Sequence, residues 1–204
     1  MRYTIITTLL LLAASLPIAR GATETAAAPT PAPAAAENAP AAASVKETLS
    51  VPLLDGKITF RLPNDFNNQS KKDAVGQNSG VVVYLYVNTL RSQVVGISEV
   101  PTAAGDANDT SDAAFSKMAQ GAYSGLKTQF THVVKTGQTT LMAGSRKLLR
   151  IDTEQEMKGE AMLGTILTTP YSGRVVTIQI LTPTSGVAGH RLLVRQILDS
   201  IAFH

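Results

Sequence analysis

An Asp-Gly pair at positions 55 and 56, placed between two apolar runs, is the feature that most constrains the fold of this chain. Pro52-Leu53-Leu54 precedes the pair, and the alternating run Lys57–Leu62 follows it. Type I′ turns need positive φ at both central residues, which Asp and Gly tolerate. Pro63 lacks a ladder donor and should end the second strand. The stretch Leu49–Pro63 therefore predicts a β-hairpin that opens the folded domain.

Before this hairpin the chain has the three parts of a secretory signal. Arg2 gives a positive start, Thr4 to Leu12 form an apolar run, and Ala19-Arg20-Gly21 is a small-x-small cleavage site. The run is shorter than the roughly 20 residues needed to span a bilayer. We therefore predict a signal peptide over residues 1–21, cleaved after Gly21, and a periplasmic location. Attachment to the inner membrane through a retained N-terminal segment is the alternative.

The segment Leu12-Ala13-Ala14-Ser15 has the shape of a lipoprotein processing site, with Ser15 where the lipid-bearing cysteine would stand. A serine cannot form the thioether, so the sequence predicts no lipidation. Residues 22–44 are dominated by Ala and Pro. Such a composition cannot offset its ordering entropy, and its prolines keep it extended. We expect a disordered tether here, either a spacer that holds the domain away from a surface or a tail without a task.

Residues 45–204 read as one α+β domain. The run Val81–Val87 is apolar on both faces, so we expect a central strand with cover on both sides. A second strand, Val94 to Val100, ends at Pro101. Four later strands with tight turns at Gly144-Ser145, Lys158-Gly159 and Pro170–Gly173 predict an antiparallel meander.

Two helices complete the predicted domain. Asp109-Thr-Ser-Asp112 supplies capping groups for the first, whose apolar stripe is Phe115, Met118, Ala119, Ala122, Leu126 and Phe130. Gly121 and Gly125 share one face of this helix and predict close approach to a neighbouring element, with a helix-association motif as the functional alternative. Pro183-Thr-Ser185 opens the last helix, whose predicted stripe is Val187, His190, Val194, Ile197 or Leu198, and Ile201.

Composition excludes several classes of function. Lys and Arg total 18 against 15 acidic residues, and loss of Arg2 and Arg20 leaves 18 − 2 = 16, a net charge of only +1. That balance predicts no nucleic-acid partner and no general field for anionic lipid. The chain has no cysteine, which excludes disulfides, thiolate metal sites and cysteine nucleophiles.

No group of residues in the sequence forms a recognisable catalytic or metal-binding pattern. The three histidines, His132, His190 and His204, are scattered and lack the spacing of a helical metal site. We expect His190 to be a packing residue and His204 to fray. The segment Gly121–Gly125 resembles a nucleophile elbow only superficially, because its serine is one place late and helical. The sequence predicts no catalytic residue, cofactor or metal, and a protein that is not an enzyme.

Two further groups could form interaction surfaces. The acidic residues Asp152, Glu154, Glu156 and Glu160 could meet a cation or a basic partner, although a solvated hairpin face, partly neutralised by Arg146, Lys147 and Arg150, explains them as well. Tyr84, Tyr86 and Tyr171 could line a surface patch, and the first two equally suit a second buried sheet face.

The segment Leu53–Ser70 resembles the opening of the DcrB family of Gram-negative envelope proteins. Its Leu-Leu-Asp-Gly-Lys hairpin, its Phe60-Arg-Leu-Pro63 strand end and its Asp65–Ser70 segment are similar to motifs that recur there, and Gln196–Ile201 looks like the family's closing helix. The resemblance implies a PsbP-like and Mog-like α/β/α sandwich with a central antiparallel sheet, a small N-terminal hairpin and helices on both faces. Family members are typically inner-membrane lipoproteins facing the periplasm, a pattern from which Ser15 departs.

From these features we expect a non-enzymatic envelope module of the DcrB type that binds an envelope or membrane protein. The resemblance links it to phage adsorption and envelope protein assembly. The alternatives are a carrier of a small apolar ligand or lipid, a chaperone of apolar segments of exported clients, and a hydrolase whose site is assembled from distant residues.

Overall fold

The computed structural model describes residues 47–70, 80–102 and 108–204. The predicted signal peptide (1–21), tether (22–44) and domain start at Val45 lie outside these residues. Much of the two predicted loops that precede the central strand and the first helix also lies outside them.

The described residues form β-strands and two α-helices. The strands are β1 (Thr48–Leu53), β2 (Ile58–Pro63), β3 (Asn67–Asn68), β4 (Val82–Asn88), β5 (Gln93–Pro101), β6 (Thr131–Ala143), β7 (Arg146–Met157), β8 (Glu160–Tyr171), β9 (Arg174–Pro183) and β10 (Ala202–Phe203). The helices are α1 (Asp112–Gln129) and α2 (Val187–Ser200), the latter preceded by a 3₁₀ turn at Thr184–Gly186.

All strand pairs are antiparallel, in a seven-stranded sheet ordered β3-β4-β5-β9-β8-β7-β6 and a three-stranded sheet ordered β1-β2-β10. Strands β6 to β9 pair in sequence order, so the predicted meander is confirmed. Strand β5 then pairs with β9, which joins the first half of the domain to the meander.

Successive residues of β7 show that the large sheet carries a core on each face. Leu148 packs into a core with α2 and the hairpin, whereas Leu149 packs into a core with α1. Because alternate side chains point to opposite faces, α1 and α2 cover opposite sides of the sheet. The predicted α+β sandwich, with a central antiparallel sheet, an N-terminal hairpin and helices on both faces, is confirmed.

The larger core joins the hairpin to α2 and the sheet. Hairpin residues Ile58 and Phe60 have no exposed surface, and they share this core with Ile97, Ile180 and Ile197. Burial of large apolar side chains contributes about 1.5–3 kcal/mol each, so this contact fixes the small sheet on the large one.

Helix α1 begins as its sequence predicts. The Ser111 hydroxyl accepts a hydrogen bond from the Ala114 N–H at 3.2 Å and caps the helix. Phe115, Ala119 and Leu126 of the predicted stripe are buried against the sheet. The expectation of close approach at Gly121 is wrong, because no heavy atom lies within 4 Å of the position that a Cβ would take there.

Three other expectations need correction. Strand β4 is not central, because its outer neighbour β3 contributes only two residues. Val187 is 39% exposed at the start of α2, where the buried positions are His190, Leu193, Val194 and Ile197. His204 does not fray, because its N–H donates to the Lys57 carbonyl at 2.9 Å and its own carbonyl accepts from the Tyr171 hydroxyl at 2.7 Å.

Neither helix among the described residues is both long and apolar enough to cross a membrane.

Candidate functional site

An open groove of about 590 Å³ lies between the N-terminal hairpin and the outer part of the large sheet. One wall is β1 with the hairpin loop, and the other is formed by β3 and the tyrosines of β4. The lining residues are Leu49, Ser50, Pro52, Asp55, Gly56, Asn68, Tyr84 and Tyr86. The volume falls in the range of ligand sites, and the mixture of aromatic, apolar and polar groups suits recognition of another molecule.

The hairpin loop shapes one end of the groove. The loop spans Leu54 to Lys57, and Leu54, Asp55 and Gly56 have φ of 51°, 56° and 88°. The predicted positive φ at Asp55 and Gly56 is confirmed, but the loop has four residues where the Asp-Gly signal predicts two. Hydrogen bonds from the Gly56 N–H to the Leu53 carbonyl and from the Lys57 N–H to the Leu54 carbonyl close it.

A buried carboxylate joins this loop to the large sheet. Glu99 of β5 is 3% exposed, and its Oε1 accepts a hydrogen bond from the Leu54 N–H at 2.9 Å. The Arg174 guanidinium donates to the backbone carbonyl of the same glutamate at 3.3 Å and to that of Gly80 at 2.7 Å. Glu99 therefore links the hairpin loop to strand β5 of the large sheet.

The opposite wall is held by short polar contacts. The Ser70 hydroxyl accepts from the Leu85 N–H at 2.9 Å, and the Gln69 N–H donates to the Leu85 carbonyl at 2.7 Å. The Asn68 side chain accepts from the Ser70 N–H at 2.9 Å. These bonds keep the two-residue strand β3 on β4 and place Asn68 at the groove.

The two tyrosines of the groove differ in their electrostatic surroundings. Burial raises the pKa of Tyr84, and the neighbouring Glu99, Tyr86 and Asp55 raise it further. Burial also raises the pKa of Tyr86. Both phenols therefore stay neutral at physiological pH. The half-buried ring of Tyr84 can contact a ligand, while its hydroxyl is hydrogen-bonded to Glu99. Tyr86 is 5% exposed and belongs to the core.

A second polar cluster lies under α2. His190 is 7% exposed, with Nε2 at 2.9 Å from the Thr165 hydroxyl and Nδ1 at 3.1 Å from the Thr182 hydroxyl. Thr165 donates its proton to Asp152 at 2.7 Å, so it accepts from Nε2–H, and Thr182 then donates to the bare Nδ1. The Arg150 Nε in turn donates to both oxygens of Asp152, at 2.9 and 3.0 Å.

This arrangement explains the ionisation of the histidine. Burial lowers the pKa of His190 and Arg150 lowers it further, while Asp152 opposes both by raising it. Both ring nitrogens are satisfied in the neutral form. The cluster is a closed network that packs α2 on β8 and β9, which agrees with the predicted packing role.

The structure separates the other residues singled out in the sequence. The acidic residues Asp152 and Glu156 have basic partners, Arg150 and His132, while Glu154 and Glu160 are solvent-exposed. Glu154 and Glu160 agree with a solvated hairpin face, whereas Asp152 belongs to the network under α2. Tyr171 lies away from the other two tyrosines, packed edge-on against Phe203 with a ring-centroid distance of 5.3 Å. Ser124 of the elbow-like segment is in α1, as expected.

Sequence reasoning did not identify Glu99 or the groove itself. Glu99 reads as an ordinary charged residue near the end of a strand, and no local signal shows that it becomes buried. Asp55 was identified only as a turn residue. Among the described residues, no group of three or more His, Cys, Asp or Glu side chains could hold a metal ion.

Comparisons with known proteins support the fold. No protein-family model matches the chain, and no curated protein sequence matches it. The chain is similar to the solution structure of cyanobacterial PsbP (CyanoP) from Synechocystis sp. PCC 6803, with a TM-score of 0.57 and 9% identity, over 82% of this chain and 98% of that one.

It is also similar to a crystal structure from Bacteroides thetaiotaomicron, with a TM-score of 0.50 and 11% identity, over 77% of this chain and 48% of that one. At these identities the likeness concerns the fold alone. The expected PsbP-like sandwich is confirmed, and membership of the DcrB family stays a prediction.

Proposed function

We propose that this chain is a non-enzymatic envelope module of the DcrB type, exported to the periplasm, that binds another envelope or membrane protein. The observation that carries the proposal is the open groove between the hairpin and the outer edge of the large sheet. Its aromatic and polar lining offers side-chain contacts, and its openness suits a segment of a larger molecule.

Two sequence features agree with this proposal. A signal peptide would export the domain, and the Ala/Pro-rich segment after it would leave the folded part free to contact a partner. The Leu53–Ser70 segment resembles DcrB proteins, which are linked to phage adsorption and envelope protein assembly. The same segment supplies Asp55, Gly56 and Asn68 of the groove.

Site-specific photocrosslinking in intact envelopes tests the proposal. A photoreactive amino acid replaces Ser50, which is exposed at the groove, and a matched variant carries it at Glu160 in the distant β7–β8 turn. We expect discrete membrane or exported proteins to be trapped from position 50 and not from position 160.

Two results would reject the proposal. A co-purifying lipid as the sole trapped species would favour the carrier alternative. An empty set at position 50, or the same set at both positions, would mean that the groove is not an interface. Adsorption of phages to cells with and without the chain tests the DcrB-type role separately.

A further inference from the structure

The groove has a one-sided charge. Among the described residues that line it, Asp55 is the charged one, and none is Lys or Arg. The buried carboxylate of Glu99 lies beside Tyr84. Burial is the largest cause of the raised pKa of that phenol, and the charge of Glu99 raises it further. The nearest basic residue in sequence, Lys57, directs its ammonium away from the groove to the Ser172 hydroxyl at 2.8 Å.

The aromatic lining reinforces this preference for positive charge. The face of a tyrosine ring attracts a cation, with a contribution of about 0.5–1 kcal/mol at exposed sites. Tyr84 is half-buried, and Asp55 is exposed at the hairpin loop within the same groove. A guanidinium or ammonium group in the groove would meet a ring face and a carboxylate together.

The walls also favour an extended chain over a folded surface. Strands β1 and β3 are the outer strands of their sheets, so the groove runs between two strand edges. Pro52 has no N–H to donate, which interrupts any long backbone ladder on β1. Recognition must therefore depend on side chains more than on continuous strand addition.

We propose that the groove binds an extended peptide segment of the partner protein through one arginine or lysine side chain, which lies against Tyr84 and pairs with Asp55. This inference rests on the proposed function and names the chemistry of the partner. The exposed Asp55 carboxylate and the half-buried Tyr84 ring give the selectivity, and the buried charge of Glu99 adds to the negative potential. The apolar residues Leu49 and Pro52 contact the neighbouring side chains of the segment.

A pair of isosteric peptides tests this directly. Acetyl-Ala-Val-Arg-Val-Ala-amide and the same peptide with citrulline in place of arginine differ in charge and hardly in shape. Each is titrated into the full ¹⁵N-labelled chain at low salt, and backbone amide shifts are followed. We expect shifts at Ser50, Gly56 and Tyr84, with the arginine peptide binding about fivefold to tenfold more tightly than the citrulline peptide.

Variants assign the contacts. Asp55→Asn and Tyr84→Leu should each reduce the preference for arginine, while Glu160→Gln, which changes an exposed acid on a distant turn, should leave it intact. Higher salt should reduce the preference in the wild-type chain. Amide spectra of the variants show whether the fold is retained.

Three results would overturn the inference: equal binding of both peptides, shifts confined to another surface, or a preference unchanged by Asp55→Asn. The proposed function survives each of them if crosslinking from position 50 still traps envelope proteins. An empty crosslinking experiment beside a clear arginine preference would instead reject the proposed function and keep the cation-binding groove.

Discussion

The Glu99 carboxylate accepts a hydrogen bond from the Leu54 N–H at 2.9 Å, across 45 positions of sequence. The carboxylate is buried, and a buried acceptor or donor without a partner is costly. This bond gives the Leu54 N–H an acceptor at the residue where the backbone of the hairpin loop enters the left-handed region. The same bond connects the two sheets. The geometry of the groove depends on it.

Two replacements of Glu99 should therefore distinguish loss of the hydrogen bond to the Leu54 N–H from loss of the negative charge. Glu99→Ala leaves the Leu54 N–H buried without its acceptor, and we expect unfolding free energy to fall by about 1–3 kcal/mol. Glu99→Gln retains an acceptor oxygen and should cost less. Urea unfolding followed by circular dichroism measures both. Equal losses in the two variants, or a Leu54 amide that exchanges no faster in Glu99→Ala, would contradict the assignment.

Two glycine substitutions should change stability in opposite directions. A Cβ at Gly164 in β8 would collide with the Thr153 hydroxyl and lie 3.1 Å from the Gln155 Oε1. We expect Gly164→Ala to cost about 1–3 kcal/mol through overpacking. Gly121→Ala in α1 meets no atom within 4 Å and should gain up to about 1 kcal/mol through helix propensity.

Thermal and urea unfolding of both variants check these signs. Adding Thr153→Ala to Gly164→Ala removes the colliding hydroxyl and should recover part of the loss. Two results would show that close packing between β7 and β8 is not the reason for the glycine. One is a Gly164→Ala variant as stable as the wild type. The other is a double variant whose loss of unfolding free energy equals or exceeds the sum of the losses in the two single variants.

Acid should weaken the fold through His190. Its pKa is lowered from the ordinary 6.5 chiefly by burial, so the unfolded chain binds this proton at a higher pH than the folded chain. The histidine therefore stabilises the fold fully above pH 6.5, and this contribution is lost as pH falls below 6.5 towards the lowered folded pKa. We expect the urea concentration at the unfolding midpoint to decrease as the pH is lowered from 7.5 to 5.

The variant His190→Asn tests which group is responsible. It should be less stable at pH 7.5, because it breaks the network with Thr165 and Thr182, but its midpoint should depend less on pH over this interval. His132→Asn is a suitable control, since His132 pairs with Glu156 at the surface at 2.8 Å. An unchanged pH dependence in His190→Asn would assign the acid sensitivity to another group.

The leader prediction has a direct chemical test. Intact-mass measurement of protein from the periplasmic fraction should give a chain that begins at Ala22 and carries no lipid. Ser15→Cys restores the residue that a lipoprotein processing site requires and should move the chain into the membrane fraction with an added lipid. A wild-type chain that begins at Met1 would instead indicate a retained anchor.

Local patterns in the sequence determined much of the fold. The Asp55-Gly56 turn, the alternation of Leu149, Ile151 and Thr153 in β7, and the capping serine before α1 all act over a few residues. Their physical causes, namely φ preference, side-chain period and a hydrogen bond to a free helical N–H, are therefore visible in the sequence itself. The PsbP-like architecture could be predicted from them together with the resemblance of Leu53–Ser70.

Tertiary structure alone decided which strands lie at the edge and which polar groups are buried. The run Val81–Val87 reads as a central strand, but its position in the sheet depends on how much of β3 pairs with it. His204 is held by residues of β2 and β8 that are distant in sequence. Glu99 becomes a buried acceptor only because β5 lies beneath the hairpin. Strand order and burial arise from contacts between distant segments, which no local periodicity specifies.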